Sequence, residues 1–259
     1  MIKRREVLDH GYVELIDYMG SDMRILEAAR VSTGSEANKG EAKNKGLIKY
    51  LIKNKHGTPL EKVVFEFKVH LPIFVMRHWV KHRVSSFNEM SARYSELPQE
   101  YFIPEEFRMQ GTKNHQGSGE AIGTHMNNNL RQATDDKTKE VYELYQAMLE
   151  MGVTREQART VLPVSMYTTI YWTVNLRSLM NFLNLRTHNH AQHEIRVYAE
   201  AIFDMLSELD DLKYTLPIIK AMQEVDWLLQ DALNLDKTDN LEEIKKVLQY
   251  YIGDKNGKR

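Results

Sequence analysis

The 259-residue chain predicts an α+β protein, a mixed α/β fold of strands and helices, on three observations. Strand signals occur at Tyr12–Tyr18, at Val63–Val69 and along the β-branched and aromatic run Val164–Val174. Segments whose apolar residues recur at helical spacing lie between and after them. A hydrophobic content of 42% and a charged content of 27% suit a soluble core, in one large domain or two intimate ones.

The first strand is entered from Gly11 and left at Gly20, where Ser21 and Asp22 can cap a helix through Leu26 and Ala29. Polar residues from Gly34 to Lys45 lead into a helix with Leu47, Ile48, Leu51 and Ile52 on one side. His56-Gly57-Thr58-Pro59 is a break. Val63, Phe65, Phe67 and Val69 then alternate with Val64, Glu66, Lys68 and His70, which is strand periodicity. Pro72 fits the first position of a helix bearing Ile73, Phe74, Val75, Met76, Trp79 and Val80. Ser85 to Ser91 shows neither helical nor strand periodicity and reads as a loop, as does Tyr94 to Pro104.

Residues 109–136 are poor in apolar side chains and predict a surface insertion, partly helical from Gly119 on or without fixed structure. A helix resumes at Val141, and Thr154 caps another through Ala158 to Leu162. Asn175 caps a helix ending near Arg186, and further helices span about 191–209 and 216–229. Residues 1–230 then form the main domain, with 231–259 a helical extension through Leu241, Ile244, Val247 and Leu248 and a fraying tail.

A net charge of −1 gives no global field toward nucleic acid or an anionic membrane, so any phosphate binding must be local. No apolar run reaches the length of a membrane span, and Met1–Arg5 leads into no signal core, so a cytoplasmic protein is expected. Cysteine is absent, which removes disulfides, thiolate nucleophiles and sulfur-ligated zinc. There is no dinucleotide Gly-rich fingerprint, Walker loop or Gly-x-Ser-x-Gly elbow.

Arg77, Lys81, Arg83 and Arg93, with His78 and His82, crowd cations into one stretch that contains a single acid, Glu89. Such a cluster repels itself unless an anion, most naturally a phosphate, sits within it; a solvated helix end is the alternative. Arg177 and Asn181 share a helix face, either as its wet side or, with Asn175, as donors to a planar heterocycle. His188, His190, His193 and Glu194 read as a metal set or as capping and packing residues. Ser91 reads as a hydrogen-bond donor to substrate or as a nucleophile.

Lys81-His82-Arg83, seven residues and then Ser91 resembles the Arg-His-Arg…Ser signature of the flavin-dependent thymidylate synthases. Ala29–Ser32, His56–Glu61, Pro72–Val75, Phe87–Tyr94, Trp172–Arg186 and His190–Gln192 are similar to that family's blocks in the same order. The resemblance implies an antiparallel sheet with packed helices, and reductive methylation of dUMP to dTMP. The carbon would come from methylenetetrahydrofolate and the hydride from reduced FAD, regenerated by NADPH. It also implies a homotetramer with active sites shared between subunits; the near-neutral charge and the lack of an apolar span predict no nucleic-acid or membrane partner.

The resemblance makes His56, Thr58, Lys81, His82, Arg83, Val84, Glu89, Asn175, Leu176, Arg177 and Asn181 flavin contacts. His78, Trp79, Val80 and Lys81 would reach dUMP from a neighbouring subunit, and Glu89, Met90, Ser91, Ala92 and Arg93 form the dUMP loop. Arg93 and Arg159 would hold the phosphate, Arg186 would polarise the uracil, and Ser91 would position it; no metal is implied. Two positions depart from the family: Lys81 replaces an Arg and loses its planar fork, and His78 stands where Gln is usual. A non-enzymatic nucleotide- or RNA-binding protein using residues 77–93 is the alternative function.

Overall fold

A computed structural model describes residues 3–36, 38–111 and 117–234. In chain order they form β1 (Lys3–Val7), β2 (Gly11–Met19), α1 (Asp22–Arg30), α2 (Glu41–Lys53), β3 (Val64–Pro72), α3 (Ile73–Trp79), β4 (Ser86–Glu89) and β5 (Arg108–Gln110). There follow β6 (Ser118–Ala121), α4 (Thr124–Glu150), α5 (Arg155–Ala158), β7 (Tyr167–Asn175), α6 (Leu176–Arg186), α7 (His193–Ser207) and α8 (Thr215–Asn234). The predicted helix over 241–248 lies outside the described residues.

The chain divides into two compact units, 1–20 with 60–208 and 21–59 with 209–259. The first is built on a five-stranded sheet of order β1-β2-β3-β7-β4, antiparallel at every pairing. Its fold is thus the mixed α/β arrangement with an antiparallel sheet. Alternation in β3 turns Phe65, Phe67 and Val69 into the core, where Phe67 stacks on Trp172 of β7. Trp172 also meets Trp79 of α3 and Phe182 of α6 at 5.2 and 5.0 Å, so one aromatic cluster ties the sheet to both helices. On α7, Ile195, Ala199 and Ile202 are buried, and Tyr198 donates to the His70 carbonyl at 2.8 Å.

In the second unit, Ser21 caps α1 by accepting from the Arg24 amide, as its position predicts. Arg30 donates to Asn44 of α2 at 3.0 Å. The buried Asp22 carboxylate takes the amides of Tyr214 and Thr215 and the Thr215 hydroxyl, at the start of α8.

The structure departs from the sequence expectations at four points. Lys3–Val7 is a strand, and so is Ser86–Glu89, expected to be a loop; β4 pairs with Ile170–Thr173 of β7 through backbone groups that need no side-chain alternation. Pro72 caps α3 from outside with an extended backbone instead of starting the helix. Residues 109–136 hold β6 and most of β5, strands that were not expected, whereas the first half of α4 agrees with the expectation of helix after Gly119. Asn127 fastens that half by accepting from the Phe107 amide and donating to the Glu105 carbonyl, both at 2.9 Å.

Candidate functional site

β7 runs into α6 without a loop. Asn175 ends the strand and its side chain accepts from the Ser178 amide at 2.9 Å, so the sheet aims the helix directly. Arg177 and Asn181, four residues apart on α6, therefore stand beside the Lys81–Val84 segment that leaves α3. Together with Glu61, Val174 and Ser178 these residues line a cleft of about 550 Å³ in the first unit. Six of the residues predicted to touch a flavin, Lys81, His82, Arg83, Val84, Arg177 and Asn181, meet there.

Glu61 was given no role in the sequence. Its carboxylate accepts from Arg177 at 2.6 Å, across 116 positions of chain. The sequence signal for it is its place at the end of the family-like block His56–Glu61, and its partner is invisible until the chain folds.

Arg186 ends α6, and its Nε donates to His82 Nε2 at 3.1 Å. The His82 ring lies edge-on to Phe182 with centroids 4.9 Å apart. Burial, reinforced by the Arg186 charge, pushes the His82 pKa down to about 4, so the ring is neutral at ordinary pH. His78 is also held below its usual value, by burial first and by Arg186 next, while Glu194 pulls the other way. Its Nδ1 has no hydrogen-bond partner among the described residues.

The remaining predicted residues occupy other places. Arg93 pairs with Glu156 of α5 at 3.4 Å, which brings the Ser91–Arg93 turn to the element that continues into Arg159. Ser91 Oγ accepts from the Arg93 amide at 3.3 Å. Glu89 accepts from the Thr168 hydroxyl at 2.9 Å, Ala92, Trp79 and Leu176 are buried, Met90 is half-buried, and Val80 is exposed. His56 and Thr58 belong to the second unit, where His56 lies edge-on to Tyr50. His188 is buried against His190, and among the described residues no three His or acidic side chains gather to hold a metal.

Fixed cations, one acid, two valines and an amide around an open cleft define a site for an anionic ligand that also carries apolar surface. Comparison with known proteins narrows this. A family model described as "Thymidylate synthase complementing protein" matches residues 14–210. The flavin-dependent thymidylate synthase of Wolbachia pipientis wMel is 43% identical over 216 residues, covering 83% of this chain and 76% of that protein. The one from Kosmotoga olearia is 45% identical over 197 residues, covering 76% of this chain and 85% of that protein. The crystal structure of a UMP/dUMP methylase, PolB from Streptomyces cacaoi bound with 5-Br dUMP, superposes with a TM-score of 0.75 at 36% identity, covering 84% of this chain and 97% of that one.

The chain belongs to the flavin-dependent thymidylate synthases. It is thus a member of an enzyme family, and the alternative of a non-enzymatic binding protein finds no support. The family implies a flavin, and the cleft residues fit one: Lys81, Arg83 and Arg177 suit its phosphates, Val84 and Val174 offer apolar wall, and His82 and Asn181 offer hydrogen bonds.

Proposed function

We propose that the chain converts dUMP to dTMP, taking carbon from methylenetetrahydrofolate and using FAD reduced by NADPH. The observation that carries this reading is the cleft at the start of α6, with Arg186 fixed against one of its lining residues, His82. When bound, the reduced flavin supplies the hydride.

This chain's own residues bind and orient. Lys81, Arg83 and Arg177 neutralise the cofactor phosphates, and Glu61 holds Arg177 toward the cleft. Asn181 and His82 hydrogen-bond the cofactor. Arg186 holds negative charge on the uracil at N3 and its neighbouring carbonyl; burial lowers its pKa, yet a guanidinium stays charged, and low surrounding polarity strengthens its field. Arg93 and Arg159 take the nucleotide phosphate, and Ser91 positions the base. Within one chain Arg93 pairs with Glu156 and Arg186 with His82. The nucleotide site is shared between subunits of a homotetramer, with His78, Trp79, Val80 and Lys81 entering from the neighbour. Val84 and Tyr94, 70% and 78% exposed beside these pairs, supply apolar surface for such contacts.

The test is dTMP formation from dUMP by purified protein with FAD, NADPH and methylenetetrahydrofolate. The reading predicts product together with bleaching of the flavin spectrum by NADPH. A protein that takes up no flavin, or one that takes it up and makes no dTMP, would overturn it.

A further inference from the structure

The contact between Arg186 and His82 carries more than proximity. A guanidinium has five N–H donors and no acceptor. At 3.1 Å the Nε–H of Arg186 must therefore point at a bare imidazole nitrogen, so His82 Nε2 carries no proton. A neutral imidazole keeps one N–H, which then sits on Nδ1. The residue is anchored through its backbone, whose amide donates to the Trp79 carbonyl at 3.0 Å and whose carbonyl accepts from the Ser85 hydroxyl at 2.8 Å, while Phe182 packs edge-on against the ring.

We propose that His82 is the positioning residue for Arg186. It engages Nε and leaves both terminal guanidinium nitrogens for the nucleotide, and the same bond fixes His82 as the Nδ1–H tautomer, so that it meets a cofactor in the cleft as a donor. The part concerning the nucleotide rests on the reaction proposed above; the tautomer does not. His82 lines the cleft and Arg186 does not, so this one ring links cofactor binding to the orientation of the catalytic cation. A bound flavin must accordingly offer His82 an acceptor, such as a ring carbonyl or unprotonated nitrogen. Low basicity of the buried ring agrees with this arrangement, since a protonated His82 would set two cations and two N–H groups against each other.

The experiment combines a spectroscopic and a kinetic arm. In protein labelled with 15N-histidine, with His82→Gln identifying the signal, Nε2 of His82 should resonate as a bare nitrogen and Nδ1 as a protonated one, with and without FAD. Arg186→Ala should abolish that preference. His82→Phe should lower kcat about ten- to a hundredfold, as expected for a lost bond to a charged donor, with a smaller change in KM for dUMP. His82→Gln, which returns an acceptor at similar reach, should restore most of that loss, and at saturating FAD His82→Phe should cost clearly less in an Arg186→Ala background than in the wild type. A protonated Nε2 in the wild type, or equal His82→Phe losses in both backgrounds, would overturn the proposal. Should His82→Phe not fold, the wild-type tautomer still decides. Failure of the wild type to form dTMP would instead strike the proposed reaction, and the nitrogen signals would still report on the His82–Arg186 bond.

Discussion

Asp22→Ala should strongly destabilise the second unit. The carboxylate is 4% exposed and accepts three bonds: from the Tyr214 amide at 2.7 Å, the Thr215 amide at 3.1 Å and the Thr215 hydroxyl at 2.5 Å. Each buried donor left unpaired costs about 1–3 kcal/mol. The Thr215 hydroxyl can rotate toward another acceptor and losses within one network do not add, so about 3–5 kcal/mol is expected overall. Asp22→Asn keeps one acceptor oxygen but turns an amide toward backbone donors, and should cost less, about 1–2 kcal/mol. Hydrogen-deuterium exchange of the 215–227 segment, with urea unfolding alongside, measures both.

The pH dependence supplies a second check on Asp22. Burial raises its carboxyl above the ordinary value, outweighing the opposing bonds from Thr215 and Tyr214. A raised folded pKa contributes stability that is present below the unfolded pKa, about 4, and is lost as pH rises through the folded value. The wild-type advantage over Asp22→Ala should therefore widen as pH falls from 7 toward 4. A loss below about 1 kcal/mol, the scale of an exposed contact, would refute the bonding argument. A narrowing gap on acidification would show that the bonds, not burial, govern the carboxylate.

Arg186→Ala should keep FAD and cost roughly 3 kcal/mol of transition-state stabilisation, or about a hundredfold in turnover; undiminished turnover would remove Arg186 from the mechanism. Arg177→Ala should weaken flavin binding about tenfold, whereas Glu61→Gln should change it less than about threefold because that ion pair is largely exposed, as fluorescence titration with FAD would show. At Gly11 a Cβ would stand 1.9 Å from the Tyr198 hydroxyl and 2.6 Å from the Val7 carbonyl, so Gly11→Ala should cost about 1–3 kcal/mol in a denaturant melt. Burial and its 2.6 Å bond to Asp135 push the Tyr101 phenol up to about 12. Its contribution is intact below about 10 and lost as pH rises from there to 12, and Asp135→Ala should bring the ionisation down in an ultraviolet titration.

In the five-stranded sheet the strands legible in the sequence are the three interior ones, β2, β3 and β7, and the two missed are the edges, β1 and β4. Interior strands bury regular sets of side chains, as Phe65, Phe67 and Val69 do, and that burial writes alternation into the chain. An edge strand is stabilised through one row of backbone bonds and favours charged or polar side chains, here Arg4, Arg5 and Glu6 in β1 and Asn88 and Glu89 in β4. The length of α4 was hidden for a related reason: its buried residues are Asn127, Thr138 and Tyr145, which form no apolar stripe. At the site, Arg177, Asn181 and the Lys81–Val84 run were found because they lie in contiguous motifs. Glu61 with Arg177, and His82 with Arg186, are pairs 116 and 104 positions apart that only the folded sheet brings together.

The bond from Asp22 to Thr215 also sets an order of events during synthesis. Thr215 leaves the ribosome 156 positions after Pro59 (215 − 59), the end of the early segment of its unit. At roughly 5–20 residues per second, that is a wait of roughly 8–30 s. Until then the Asp22 carboxylate keeps its water, and the early segment has only its own bonds, such as Arg30 to Asn44, to hold a nascent shape. The unit that begins emerging at Ser21 thus closes only after every strand of the sheet has been made.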